Sequence, residues 1–167
     1  MNTIKVSILM GSDSDLEVMQ EAVQVLKDFG IEHDVKVLSA HRSPALVSQF
    51  ASQACAEGVK VIIAGAGGAA HLAGVLAAHT TLPVIGVPIA STALNGMDAL
   101  LATVQMPAGV PVATVAVGKA GARNAAILAV QMLALNDTQL VKKLQDFKNR
   151  LEADIKTKNE KLQQKLK

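Results

Sequence analysis

Short apolar runs alternate along this chain with longer stretches patterned for helix, and that alternation restricts the fold more than any other feature. The β-rich runs occupy residues 4–10, 35–38, 59–64, 83–87 and 112–117. The helical stretches occupy 15–29, 44–57, 69–79, 91–105 and 121–135. Several strands are continuously apolar, as parallel strands covered on both faces are. Gly30 and Gly58 stand where a helix-terminating glycine belongs. Repeated strand–helix–strand units imply an α/β fold, a three-layer doubly wound parallel sheet with helices on both faces. Right-handed crossovers bring the loops that follow the strands to one edge. A flavodoxin-like (Rossmann-like) strand order, 2-1-3-4-5, is the preferred arrangement, and the element pattern leaves other orders open.

The pattern changes after residue 137. Residues 138–167 are rich in Lys, Gln, Glu and Leu, and Leu140, Leu144, Phe147, Leu151 and Ile155 form one stripe of a long C-terminal helix. The chain therefore reads as an α/β domain over 1–137 followed by a helix over 138–167. That helix either covers its own sheet edge or packs on a neighbouring subunit. Composition favours the neighbour. Half of the residues are hydrophobic, only 2% are aromatic, and the charged share is low, which points to a homo-oligomer with large buried interfaces.

A net charge of +2 and the lack of aromatic stacking platforms give no nucleic-acid signal. Cys55 is alone, so there is no disulfide framework and no metal-ligand spacing; it falls in a helical stretch and is expected to be buried. The first five residues lack the apolar region of a signal peptide, and no apolar span long enough for a membrane helix occurs. The expectation is a reduced, cytoplasmic, soluble protein with no membrane partner.

Chemistry concentrates where strands end. The second strand stops at Leu38, and Ser39-Ala40-His41-Arg42-Ser43-Pro44 follows. Pro44 suits a first helical turn and Ser43 suits the N-cap, so His41 and Arg42 lie on the loop between. Open α/β sheets bind ligands at that edge. An imidazole beside a permanent cation there suits proton transfer on an anionic substrate. The first strand ends in Gly11-Ser12-Asp13-Ser14-Asp15. The N–H groups opening a helix favour phosphate. Ser12 and Ser14 add hydroxyls, and Asp15 suits ribose hydroxyls. Helix capping by Ser14 or Asp15 is compatible with both roles. The motif is neither a Walker P-loop nor a Gly-x-Gly-x-x-Gly fingerprint.

The third strand ends in Gly65-Ala66-Gly67-Gly68-Ala69-Ala70-His71. So little side chain lets a ligand lie against backbone or lets two subunits approach closely. His71 either faces the pocket or caps a turn, while His33 and His79 read as surface or helix-end residues. The run 86–98, overlapping the fourth helical stretch, reads as a long loop of the kind that often carries function. Residues 105–111 read as a proline-stiffened turn or a ligand contact.

These motifs, together with Ala93-Leu94-Asn95-Gly96-Met97-Asp98, Val104-Gln105-Met106-Pro107 and Gly118-Lys119-Ala120-Gly121-Ala122, stand in an order and spacing that closely resembles the PurE family of N5-carboxyaminoimidazole ribonucleotide mutases of bacterial purine biosynthesis. The resemblance runs from residue 4 to about 137. It implies a flavodoxin-like homo-octamer with active sites where subunits meet. It further implies an isomerase that moves a carboxylate from the exocyclic nitrogen of the nucleotide to ring carbon 4, with no metal, ATP, biotin or other cofactor. His41 corresponds to the family's proton-transfer histidine, and Ser12, Asp15 and Arg42 to its nucleotide-binding residues. Ser14, Ser39, Ala66, Gly67 and His71 complete the expected substrate site. Leu16 stands where the family often has Trp, Ala73 where it has Pro, and Ala108 where Arg is common. Relatives that fix free CO2 on the same ring tend to carry Lys after the histidine, so Arg42 favours the mutase. The alternative is a carboxylase using CO2 directly; a non-catalytic nucleotide-binding module is the other rival.

Overall fold

The computed structural model describes residues 4–166; residues 1–3, part of the N-terminal run read above, and residue 167 lie outside the described residues. Five strands pair in parallel in the order β2-β1-β3-β4-β5. They are β1 (Val6–Met10), β2 (His33–Val37), β3 (Val61–Gly67), β4 (Val84–Ile89) and β5 (Ala113–Thr114). The helices are α1 (Leu16–Phe29), α2 (Pro44–Gln53), α3 (Leu72–His79), α4 (Met97–Val104), α5 (Lys119–Ala134) and α6 (Thr138–Lys165). The flavodoxin-like order expected from the alternation is the one found.

Residues through Val130 form one compact unit and residues from Gln131 a second. In the first, the sheet is covered on both faces. Leu9, Ile62, Ala64 and Val84 meet Val47 and Ala51 of α2 and Leu72, Ala73 and Leu76 of α3 on one side. On the other, α1 lies against the strands closely enough that a Cβ on Gly65 would overlap the Met19 thioether. Lys119 and Arg123 of α5 reach Glu17 and Glu21 of α1, which places α5 beside it. The second unit carries the 28-residue α6. The Asp137 carboxylate accepts from the backbone N–H groups of Gln139 and Leu140 and so caps it. Leu140 is buried, whereas Leu151, Ile155, Leu162 and Leu166 are exposed.

Several boundaries move for tertiary reasons. β2 is an edge strand with Val35 and Val37 exposed, so its apolar run does not mark a strand covered on both faces. β3 extends to Gly67 because Gly65, Ala66 and Gly67 keep pairing with Val87, Pro88 and Ile89. The start of the glycine stretch is therefore strand rather than loop. β5 shrinks to two residues. α2 ends at Gln53, and Cys55 is exposed on the following turn instead of buried in a helix. α3 begins at Leu72 and α4 only at Met97, after Asn95 (φ 51°) and Gly96 (φ 86°) adopt left-handed backbone that a right-handed helix excludes. Gly30 ends α1 as expected, at φ 72°, with its N–H bonded to the Leu26 and Lys27 carbonyls.

Gly121 has a steric role. A Cβ there would overlap the Ala116 carbonyl, which is backbone and cannot swing aside, whereas the neighbour of Gly65 is the flexible end of Met19. Gly121→Ala should therefore cost about 1–3 kcal/mol, and Gly65→Ala less. Urea midpoints at one protein concentration check this; the reverse ranking would contradict the packing argument.

Candidate active site

The carboxyl ends of β1, β2, β3 and β4 surround one cleft of about 400 Å³. All nine residues expected at the site line it. Ser12, Ser14 and Asp15 come from the turn after β1. Ser39, His41 and Arg42 come from the loop after β2, and Ala66, Gly67 and His71 from the end of β3 and beyond. Gly11, Ala40, Ala69 and Leu72 also line it, as does Ser91 after β4.

The His41 loop is closed by its own ends. The Ser43 hydroxyl donates to the Ser39 carbonyl at 3.0 Å and accepts from the Ser39 N–H at 3.0 Å, and the Ser43 N–H donates to the same carbonyl at 2.9 Å. Ser43 occupies the N-cap position before Pro44 but makes no side-chain cap to α2, because its hydroxyl is used across the loop. His41 and Arg42 are thereby held at the tip of a short, stitched turn. Arg42 is braced from two sides. Its Nη2 donates to the Gly11 carbonyl at 2.6 Å and its Nε to the Ser39 hydroxyl at 3.4 Å. The remaining guanidinium N–H groups are available to an anion.

His41 Nε2 lies 2.8 Å from His71 Nδ1, and the rings meet edge to face with centroids 4.9 Å apart. Such a contact needs an N–H on one ring and a lone pair on the other, so each ring selects the tautomer of its partner. Of the two alternatives for His71, the geometry places it facing the cleft. It stands directly before α3 and makes no side-chain cap to it.

The turn after β1 is organised differently from the expectation. Ser12, not Ser14, is the capping residue: its Oγ accepts from the Ser14 N–H at 3.4 Å, while Asp15 accepts the Ser12 N–H at 3.2 Å. The Asp15 N–H bonds the Ser12 carbonyl. Three backbone N–H groups of this motif are thus engaged within it. The cationic and hydroxyl groups at this end of the cleft are Arg42, Ser12 and Ser14, the last two with their hydroxyls 3.0 Å apart. Asp15 is 7% exposed. Burial pushes its carboxyl above the usual Asp range, against the lowering by the Ser12 N–H and the Arg42 guanidinium.

Residue type alone does not distinguish Ser91, although it follows the end of β4 within the run 86–98. The His41–His71 pairing was also hidden, since thirty positions separate the two rings.

A family profile described as AIR carboxylase matches residues 5–154. An N5-carboxyaminoimidazole ribonucleotide mutase of Bacillus subtilis is 57% identical over 141 residues, 84% of this chain and 87% of that protein. One of Saccharolobus solfataricus is 54% identical over 151 residues, 90% of this chain and 94% of that protein. Among solved structures, Treponema denticola PurE superposes with a TM-score of 0.85 at 28% identity, covering 94% of this chain and 97% of that one.

The raised Asp15 carboxyl has a stability consequence. The folded state binds the proton more tightly than the unfolded chain, so stability falls as pH rises through the window above the ordinary Asp range. The full cost is present at neutral pH. Asp15→Asn keeps an acceptor for the Ser12 N–H and should melt higher than the parent at pH 7, with the gain shrinking as pH falls into the carboxyl range. Calorimetry across that range checks the sign; a lower melting point at pH 7 would refute it.

Proposed function

This chain belongs to the AIR carboxylase family, and on that premise we propose that it is an N5-carboxyaminoimidazole ribonucleotide mutase. It is an isomerase that moves the carboxylate from the exocyclic nitrogen to ring C4, giving 4-carboxy-5-aminoimidazole ribonucleotide in purine (IMP) biosynthesis. The observation that carries the reading is the His41 imidazole fixed at the cleft by His71, next to the braced Arg42 guanidinium. Relatives at 54–57% identity bear the mutase name, which supports this reading over a carboxylase using free CO2.

The residues divide the work by their chemistry. Arg42 with the Ser12 and Ser14 hydroxyls binds the phosphate, Asp15 accepts from the ribose hydroxyls, and Ser39, Ala66 and Gly67 floor the ring. His41 gives its proton to the exocyclic nitrogen as the N–C bond to the carboxylate breaks and CO2 is released. Ring C4 then attacks the CO2, and the proton displaced from C4 returns to His41. One proton leaves the imidazole and one comes back, so decarboxylation and recarboxylation sum to an isomerisation. A closed pocket keeps the CO2 beside the ring. His71 orients the His41 ring for both transfers.

The assembly belongs to the same proposal: a cytoplasmic homo-octamer in which residues 138–167 pack on a neighbouring subunit. The exposed stripe Leu151, Ile155 and Leu162 supports it, as do Leu94 in the turn before α4 and Met97, Leu101 and Val104 along that helix, all at least 45% exposed. Among the described residues no helix is long and apolar enough to cross a membrane.

Supplying the carbamate nucleotide without added CO2 or bicarbonate should give the C4-carboxylated product; turnover only when CO2 is added would favour the carboxylase. His41→Asn should lower kcat by about 10²–10⁴-fold while the nucleotide still binds, and a folded His41→Asn protein with near-parent activity would remove His41 from the chemistry. Arg42→Lys should weaken nucleotide binding, because two parallel N–H bonds are replaced by a point charge. Deleting the chain from Thr138 should dissociate or aggregate it and reduce activity in step. Light scattering that finds a stable, active monomer would overturn the assembly and the shared site.

A further inference from the structure

Ser91 is the one cleft residue contributed by the end of β4, and the proposed chemistry above gives it no task. Its side chain lies against Gly67, close enough that a Cβ on Gly67 would overlap the Ser91 Oγ. Among the described residues, no hydrogen bond is made by the Ser91 hydroxyl, although the polar side chains of Ser12, Ser14, Ser39, His41, Arg42 and His71 in the same cleft all have partners. A hydroxyl left unpaired in a cleft whose other polar groups are paired is available to a ligand.

The chain behind Ser91 is tied down. The Thr92 hydroxyl donates to Asp98 Oδ2 at 2.6 Å and accepts from the Leu94 N–H at 3.2 Å. The Asn95 N–H returns to the Thr92 carbonyl at 3.1 Å. Gly96 packs so tightly on Ala90 and Val117 that a Cβ there would touch both. Ser91 thus hangs between the end of a central strand and a turn closed on itself, an arrangement that holds a contact group in place before the ligand arrives.

Its position along the sheet indicates which part of the ligand it meets. The Arg42 guanidinium, on the Gly11 carbonyl, marks the β1 end of the cleft and Ser91 the β4 end, two interstrand spacings or about 10 Å apart along the sheet. With phosphate at Arg42 and ribose at Asp15, the ring lies over Ala66 and Gly67. The far edge of the ring, which carries the carboxylate, then points toward β4. Resting on the mutase reading, we infer that the Ser91 hydroxyl donates a hydrogen bond to the carboxylate of the nucleotide. Ser91 thereby distinguishes carboxylated nucleotide from the bare aminoimidazole ribonucleotide, and the Thr92–Asp98 hydrogen bond positions it.

Two nucleotides and two variants test this by titration calorimetry. Ser91→Ala should weaken binding of 4-carboxy-5-aminoimidazole ribonucleotide roughly 10-fold or more, the effect of losing a hydrogen bond to a charged group, and leave the decarboxylated nucleotide unchanged. Thr92→Val should show a smaller loss with the same selectivity. In the double variant it should add less than its separate effect, because both changes act on one contact. Equal losses for the two nucleotides, or no loss for either, would overturn the role of Ser91 and leave the mutase reading standing on His41. Failure of the parent protein to bind either nucleotide would overturn both.

Discussion

Everything at the cleft hangs from the pairing of β1 with β3. Met10 stands opposite Gly65 at the carboxyl end of that ladder, and the pairing continues past the strand end with the Gly11 N–H on the Gly65 carbonyl. On the other side of β1 the Leu38 N–H takes the Met10 carbonyl. These bonds set where the His41 loop, the Ser12 turn and the glycine-rich end of β3 begin. Both faces of β1 are buried, so a slip of one residue would turn Leu9 and Ile8 to the wrong layers. The core therefore enforces the register, and the register delivers Arg42 to the Gly11 carbonyl across thirty-one positions of sequence.

How much of this was legible depended on whether the cause was local. Apolar runs and the C′ glycine at Gly30 act within a few residues, and they identified the strands, the long helices and the sheet class. The edge position of β2 did not show, because Val35 and Val37 look like core until the neighbouring strand is known to be missing. Nor did the late start of α4, which follows from the backbone at Asn95 and Gly96 rather than from an apolar pattern. Helix membership would bury Cys55, yet α2 stops two residues before it and leaves it exposed.

The site was legible as positions at strand ends and much less as interactions. Proximity of His41 to Arg42 is sequence; bracing of His41 by His71 is tertiary structure. The Ser12–Asp15 turn shows how one group of atoms limits another. Its N–H groups satisfy their hydrogen bonds within the turn, so an anion in the cleft would have to be met by side chains instead. Asp15 remains a buried carboxylate beside Arg42, its burial opposing ionisation while the Ser12 N–H and the guanidinium favour it.

Small residues explain both the packing and the cleft. Gly65 is small because Met19 occupies the space a side chain would take, Gly86 because Thr103 and Val112 do, and Gly121 because the Ala116 carbonyl does. These glycines serve close approach within the fold, and a glycine-rich strand end is not by itself a ligand loop. Gly67 belongs to both categories. Its missing side chain admits Ser91, which carries the edge of the cleft from β3 to β4 and puts a hydroxyl where a larger residue at position 67 would have closed the floor. A change at Gly67 would therefore displace Ser91, so its effects would report on the β4 end of the cleft as much as on the backbone of β3.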